Sequence, residues 1–81
     1  MVTRVTVLYF AGLRDAAGVA SEEIDAAGHD LRGLYEALRL RHGFAFPVER
    51  LRVAVDGAFA HWDDAPEAGS EVAFIPPVSG G

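Results

Sequence analysis

Polar and apolar residues change places along this chain with two distinct periods. From Val2 to Phe10 they alternate, the signature of a strand with one buried face. Val5, Val7 and Tyr9 fall on one side; Arg4, Thr6, Leu8 and Phe10 fall on the other. Ala11 to Ala17 reads as a short helix closed by Gly18, which suits a left-handed cap. Val19 to Ala26 is a weaker strand centred on Ile24, and Gly28, His29 and Asp30 then break the pattern. Leu31, Leu34, Tyr35 and Leu38 recur at i, i+3, i+4 and i+7, one stripe of an amphipathic helix. Asp30 is placed to cap its start, Arg39, Arg41 and His42 suit the dipole of its last turn, and Gly43 ends it. Phe44 to Arg50, with Pro47, reads as loop. Leu51 to Val55 is a strand, Asp56-Gly57 a two-residue hairpin turn, and Ala58 to Ala60 the returning strand. His61 to Ser70 is turn-rich, and Glu71 to Ile75 is the last strand. Mixed strands and helices predict an α+β domain with one main helix packed on one sheet face.

Composition narrows what such a domain can do. With 81 residues it holds one modest core. Twelve acidic residues against 7 basic ones give a net charge of −5, which argues against nucleic acid as the main partner. Cysteine is absent, so neither a thiolate nucleophile nor a disulfide framework is available, in keeping with a reducing, cytoplasmic setting. All seven basic residues are arginine, which excludes a Schiff-base or phosphate-loop lysine. The first ten residues lack the cationic start of a signal peptide, and no apolar run approaches a membrane span. His29, His42 and His61 have no metal-ligand spacing, Asp63, Asp64 and Glu67 read as a solvated turn, and Glu22-Glu23 as an exposed strand end. No nucleophile, base and orienting group can be assembled, so no catalytic machinery of its own is expected.

The carboxyl-terminal segment Pro76-Pro77-Val78-Ser79-Gly80-Gly81 is the most informative. Two prolines stop the last strand from pairing further and favour an extended path. Six residues reach about 20 Å, and two glycines pass through a channel that admits only backbone. A frayed end is one reading of such a segment. The other is a carboxylate offered to an enzyme. An ionised carboxylate is a poor electrophile and needs activation, most simply as a mixed anhydride with AMP. The chain would then be substrate and carrier.

The ending Phe74-x-Pro76-Pro77-Val78-x-Gly80-Gly81 resembles that of the small subunit of molybdopterin synthase, the MoaD-type ubiquitin-like sulfur carriers. The likeness extends through Val7-Leu8-Tyr9-Phe10-Ala11, Leu13-Arg14-Asp15, Gly18, the Leu31–Leu38 helix and Gly69-Ser70-Glu71-Val72-Ala73-Phe74. It implies a β-grasp domain over residues 1–75 and a flexible tail over 76–81. It implies that an E1-like, MoeB-type enzyme uses ATP-Mg to adenylate Gly81, with Gly80 beside it, and that a sulfur donor converts the carboxylate to a thiocarboxylate. No cofactor is held permanently and no metal is expected. The tail would enter a MoaE-type large subunit, in a heterotetramer, and deliver sulfur to cyclic pyranopterin monophosphate in molybdenum cofactor biosynthesis. Phe10, Phe59, Phe74 and Ile75, with Pro76, Pro77, Val78 and Ser79, are the expected partner-binding residues. Strand parity supports part of this set independently, because Phe10, Phe59 and Ile75 fall on the sheet face away from the main helix. Carriers for thiamine, cysteine or tRNA thiolation, and ubiquitin-like protein modifiers, are the competing readings.

Overall fold

A computed structural model describes residues 2–77. Five strands form one mixed sheet: β1 (Arg4–Tyr9), β2 (Ser21–Asp25), β3 (Arg52–Val55), β4 (Ala58–Phe59) and β5 (Glu71–Ile75). Two helices, α1 (Ala11–Ala17) and α2 (Leu31–His42), complete it, with a single 3-10 turn at Val48–Arg50. The order across the sheet is β2-β1-β5-β3-β4. The central pair β1·β5 is parallel, and the other neighbours are antiparallel. With α2 across one face this is the expected β-grasp arrangement.

Alternation dictates the core. Val5, Val7 and Tyr9 of β1, Val53 of β3, and Val72 and Phe74 of β5 all point to the inner face. They meet Leu31, Leu34, Tyr35 and Leu38, the predicted stripe of α2. The Tyr35 ring lies edge-on to Phe74 at 5.2 Å, and the Trp62 ring stacks on Phe74 at 5.9 Å. The Tyr35 hydroxyl donates to the Phe46 carbonyl at 2.6 Å, so its burial leaves no polar atom orphaned. That burial pushes the phenol up to about 12.

The ends of α2 follow the sequence closely. The Asp30 carboxylate accepts from the Gly33 amide at 2.7 Å. The Asp64 and Trp62 carbonyls accept from the Leu31 and Arg32 amides, so the long β4–β5 connection satisfies donors that a helix start leaves open. Gly43 closes the helix at φ 73, a conformation costly for any residue with a Cβ.

Several boundaries differ from expectation: β2 is shorter than Val19–Ala26, and β3 starts at Arg52 rather than Leu51. β1 is shorter than Val2–Phe10, because the Thr3 amide turns to the Asp25 carboxylate and Phe10 already serves as the cap of α1. The expected loop Phe44–Arg50 contains the 3-10 turn, in which the Pro47 carbonyl accepts from the Arg50 amide at 3.0 Å. The returning strand of the hairpin ends at Phe59 rather than Ala60. Among the described residues no helix is long and apolar enough to cross a membrane.

Candidate functional site

Among the described residues no helix covers the outer face of the sheet, and its side chains set the shape of the site. Small residues form the floor, with Ala54 on β3 facing Ala73 on β5 in the antiparallel ladder. Larger residues form the walls. Leu8, Phe10, Phe59 and Ile75 surround the two alanines and enclose a groove of about 300 Å³. The three residues expected on this face by parity, Phe10, Phe59 and Ile75, are therefore brought together. Phe10 is 45% exposed and Phe59 70% exposed. Leu8, Ala54 and Ala73 belong to the same groove and were not singled out from the sequence. Their parity with Phe10, Phe59 and Ile75 was the signal that could have found them.

Two tight turns hold the aromatic walls in place. Asp56 and Gly57 have φ of 51 and 87, the twin left-handed pair of a two-residue hairpin turn. The turn sets the register Val55 against Ala58 and Ala54 against Phe59. It is pinned to β5 on both sides. The Glu71 amide donates to the Asp56 carboxylate at 2.9 Å, and the Asp56 amide donates to the Glu71 carbonyl at 2.9 Å. Phe10 is set by the passage from β1 into α1, where Ala11 takes φ 50. A left-handed alanine is strained by roughly 1–2 kcal/mol, and here it turns the chain directly behind a groove aromatic.

The last residue of β5 belongs to this same face. Ile75 stands opposite Arg52 at the last rung of β5. Pro76 follows half-buried and Pro77 exposed. Phe74 is a correction to the expected partner-binding set. It is fully buried, faces the inner side and packs between Tyr35 and Trp62, so it anchors the strand rather than touching a partner. Val78, Ser79, Gly80 and Gly81, expected to carry the tail and its reactive carboxylate, lie outside the described residues.

A polar cluster on the inner face departs from the sequence reading. Glu22, read as part of an exposed strand end, stands opposite Val7 and faces α2. Its carboxylate accepts from the Tyr9 hydroxyl and lies 2.7 Å from His42 Nε2. His42, read as a charge suited to the dipole of the last turn, is thus part of a half-buried network that joins β1, β2 and the end of α2. Burial raises the Tyr9 phenol well above its usual range, and the bond to Glu22 adds to the rise. Burial alone would raise the Glu22 carboxyl, but the bonds from Tyr9 and His42 and the nearby Arg41 charge leave it below its usual value. Among the described residues no group of three His, Asp or Glu side chains is placed to hold a metal ion.

Comparison with known proteins agrees with this geometry. Small archaeal modifier protein 1 from Haloferax volcanii superposes with a TM-score of 0.76 at 28% identity, over 96% of this chain and 99% of that one. A structure from Pyrococcus furiosus, described as molybdopterin converting factor subunit 1, gives a TM-score of 0.77 at 32% identity, over 94% of this chain and 99% of that one. A complex of subunits 1 and 2 of the molybdopterin-converting factor from Helicobacter pylori contains a chain of the same fold, with a TM-score of 0.67 at 23% identity, over 96% and 99%. No curated protein sequence matches. The ubiquitin-like β-grasp fold is common to all these structures, and a family model covers residues 7–81 of the sequence: the chain belongs to the ThiS family.

Proposed function

We propose that this chain is a sulfur carrier serving molybdopterin synthase, with Gly81 as the acyl group that is activated and loaded. The observation that carries the reading is positional. The apolar groove on the outer face is lined by Ile75, the residue before the Pro76-Pro77-Val78-Ser79-Gly80-Gly81 segment, so a protein seated on Phe10, Phe59 and Ile75 is held where that segment begins. In the reaction, a Gly81 carboxylate oxygen attacks the α-phosphorus of ATP in an E1-like enzyme and pyrophosphate leaves. Hydrosulfide supplied by the sulfur donor then attacks the carbonyl carbon of the acyl-adenylate, the C–O bond to AMP breaks, AMP leaves, and Gly81 becomes a thiocarboxylate. The large synthase subunit receives the tail, and sulfur passes to cyclic pyranopterin monophosphate. The 32% identity to the Pyrococcus furiosus protein and the ending Phe74-x-Pro76-Pro77-Val78-x-Gly80-Gly81 support this acceptor over others. On this reading residues 1–75 are the docking domain and residues 76–81 the chemical arm.

A protein-modifier role is the second reading, favoured by the likeness to the archaeal modifier. The two differ in the fate of Gly81. Intact mass spectrometry of the chain from its native host, with fragmentation at the carboxyl terminus, separates them. Replacement of one oxygen by one sulfur at Gly81 is the expected result. Gly81 joined through an isopeptide bond to other proteins, with no sulfur present, would establish the modifier. A terminus left unmodified after incubation with host extract, ATP and a sulfur source would remove both.

A further inference from the structure

Phe59 has a hollow on each side. One is the apolar groove. The other is a cleft of about 530 Å³ whose lining differs in character: Arg50, Arg52, His61 and Trp62 frame it, with Glu49 the carboxylate among them. Neither arginine forms an ion pair with any described residue. This is unusual ground in a chain of net charge −5. On the opposite edge of the same outer face, β2 carries Glu23 and Asp25, where Arg4 pairs with Glu23 at 3.7 Å. Of the other acids near the cleft, Asp63 pairs with Arg32 at 3.8 Å and Asp64 accepts from the His61 amide at 3.1 Å.

Arg52 is also held in place. Its guanidinium lies 5.6 Å from the centre of the Phe59 ring, a cation–π contact with a wall of the apolar groove. In the ladder it stands opposite Ile75, the residue before Pro76. A fixed cation therefore sits where groove, basic cleft and tail root meet. A guanidinium restrained on an aromatic ring loses less freedom when it takes a second partner, and its fork fits a carboxylate with two parallel bonds.

We propose that Arg52, with Arg50 behind it, receives an aspartate or glutamate side chain of the adenylating enzyme that seats on the groove. The docking surface is then two-part: an apolar socket that supplies area, and a cationic rim that selects a partner with an acidic loop beside its apolar contact. This extends the carrier reading above and rests on it. A rim charge of this kind acts on the association rate and makes it sensitive to salt.

The test measures pyrophosphate exchange by the host's adenylating enzyme, with the full chain as the varied substrate. Arg52→Glu is expected to raise the half-saturating carrier concentration about tenfold or more, and Arg52→Gln to raise it less. The rate at saturation should stay as in the natural chain. Rising sodium chloride should weaken the natural chain more steeply than Arg52→Gln, so that the two converge at high salt. Thermal unfolding of each variant, expected to be unchanged, separates a docking effect from a folding one. Equal half-saturation and equal salt dependence for all three chains would overturn the assignment of Arg52 while exchange itself upholds the carrier reading. A natural chain that supports no exchange would overturn that reading and this extension together.

Discussion

The two faces of one sheet are built from alternate residues of the same strands, yet they do opposite work. β5 shows it in five residues. Val72 and Phe74 point inward with no exposed surface, while Ala73 and Ile75 point outward into the groove. Inward positions carry large side chains that interlock with α2. Outward positions carry small side chains at the centre and large ones at the rim, which leaves a hollow. A closed face lowers the free energy of the fold, whereas an open apolar face leaves area to be covered by something else. The comparison predicts that inner-face changes damage stability and outer-face changes damage docking.

The largest effect should come from the inner face. Phe74→Ala removes a fully buried ring that contacts Tyr35 and Trp62. It is expected to lower the unfolding free energy by about 3–5 kcal/mol, measured by urea denaturation. In a domain this small such a loss approaches the whole stability. A change below about 1 kcal/mol would mean that Phe74 is not the keystone its burial indicates.

On the outer face the same logic runs the other way. Phe59→Asp alters a side chain that is 70% exposed and should leave stability within about 0.5 kcal/mol. It places a charge in the apolar groove and, if the proposed function holds, is expected to weaken binding to a large synthase subunit by about 2 kcal/mol, read by titration calorimetry. Unchanged affinity would remove Phe59 from the interface and leave the groove to the other residues.

How much of this was readable beforehand depends on the face. Strand alternation and the helical stripe announced the inner face, because burial of apolar area selects residues strongly and leaves a periodic mark. Asp30, Gly43 and Asp56-Gly57 announced their turns, because few residues can fill those roles. The groove was half legible: Phe10, Phe59 and Ile75 followed from parity, and the same parity puts Ala54 and Ala73 on that face, but their smallness gave no sign that they form its floor. Phe74 shows the limit of reasoning from a motif. It stands inside the ending that resembles the sulfur carriers, yet its period places it in the core. The Tyr9–Glu22–His42 cluster was invisible because Glu22 and His42 are 20 residues apart and meet only once β2 and α2 are packed.

That cluster gives the inner face a dependence on pH. The Glu22 carboxyl titrates below its usual 4.5 in the folded chain. Its contribution is therefore complete above that value and is lost as pH falls through the lower, folded one. Tyr9 runs in the opposite sense. Its raised phenol contributes fully below the usual 10.0 and loses that contribution as pH climbs beyond. Glu22→Gln should cost about 1 kcal/mol near neutrality and flatten the acid limb of a melting-temperature profile relative to the natural chain. Parallel acid limbs for both chains would show that the carboxylate is not what couples this network to pH.

The smallest effect sits at the join between the faces. Ala11 and Asp56 are the non-glycine residues with positive φ among the described residues, and they adjoin the segments that position Phe10 and Phe59. The β1–α1 turn behind Phe10 is thus made by a residue that does not favour it, whereas Asp56-Gly57 suits its turn and α1 and α2 end on glycines suited to the left-handed region. Glycine at position 11 would adopt φ 50 without the Cβ clash, at some cost from the greater freedom of the unfolded chain. The balance should favour Ala11→Gly by up to about 1 kcal/mol, a rise of roughly 4–8 °C in melting temperature for a domain of this size. The gain should come without tighter docking, since Phe10 keeps its place and loses only a stiff neighbour. A lower melting temperature would mean that the passage from β1 to α1 stores no strain. Phe10 would then be held in the groove without stored backbone strain.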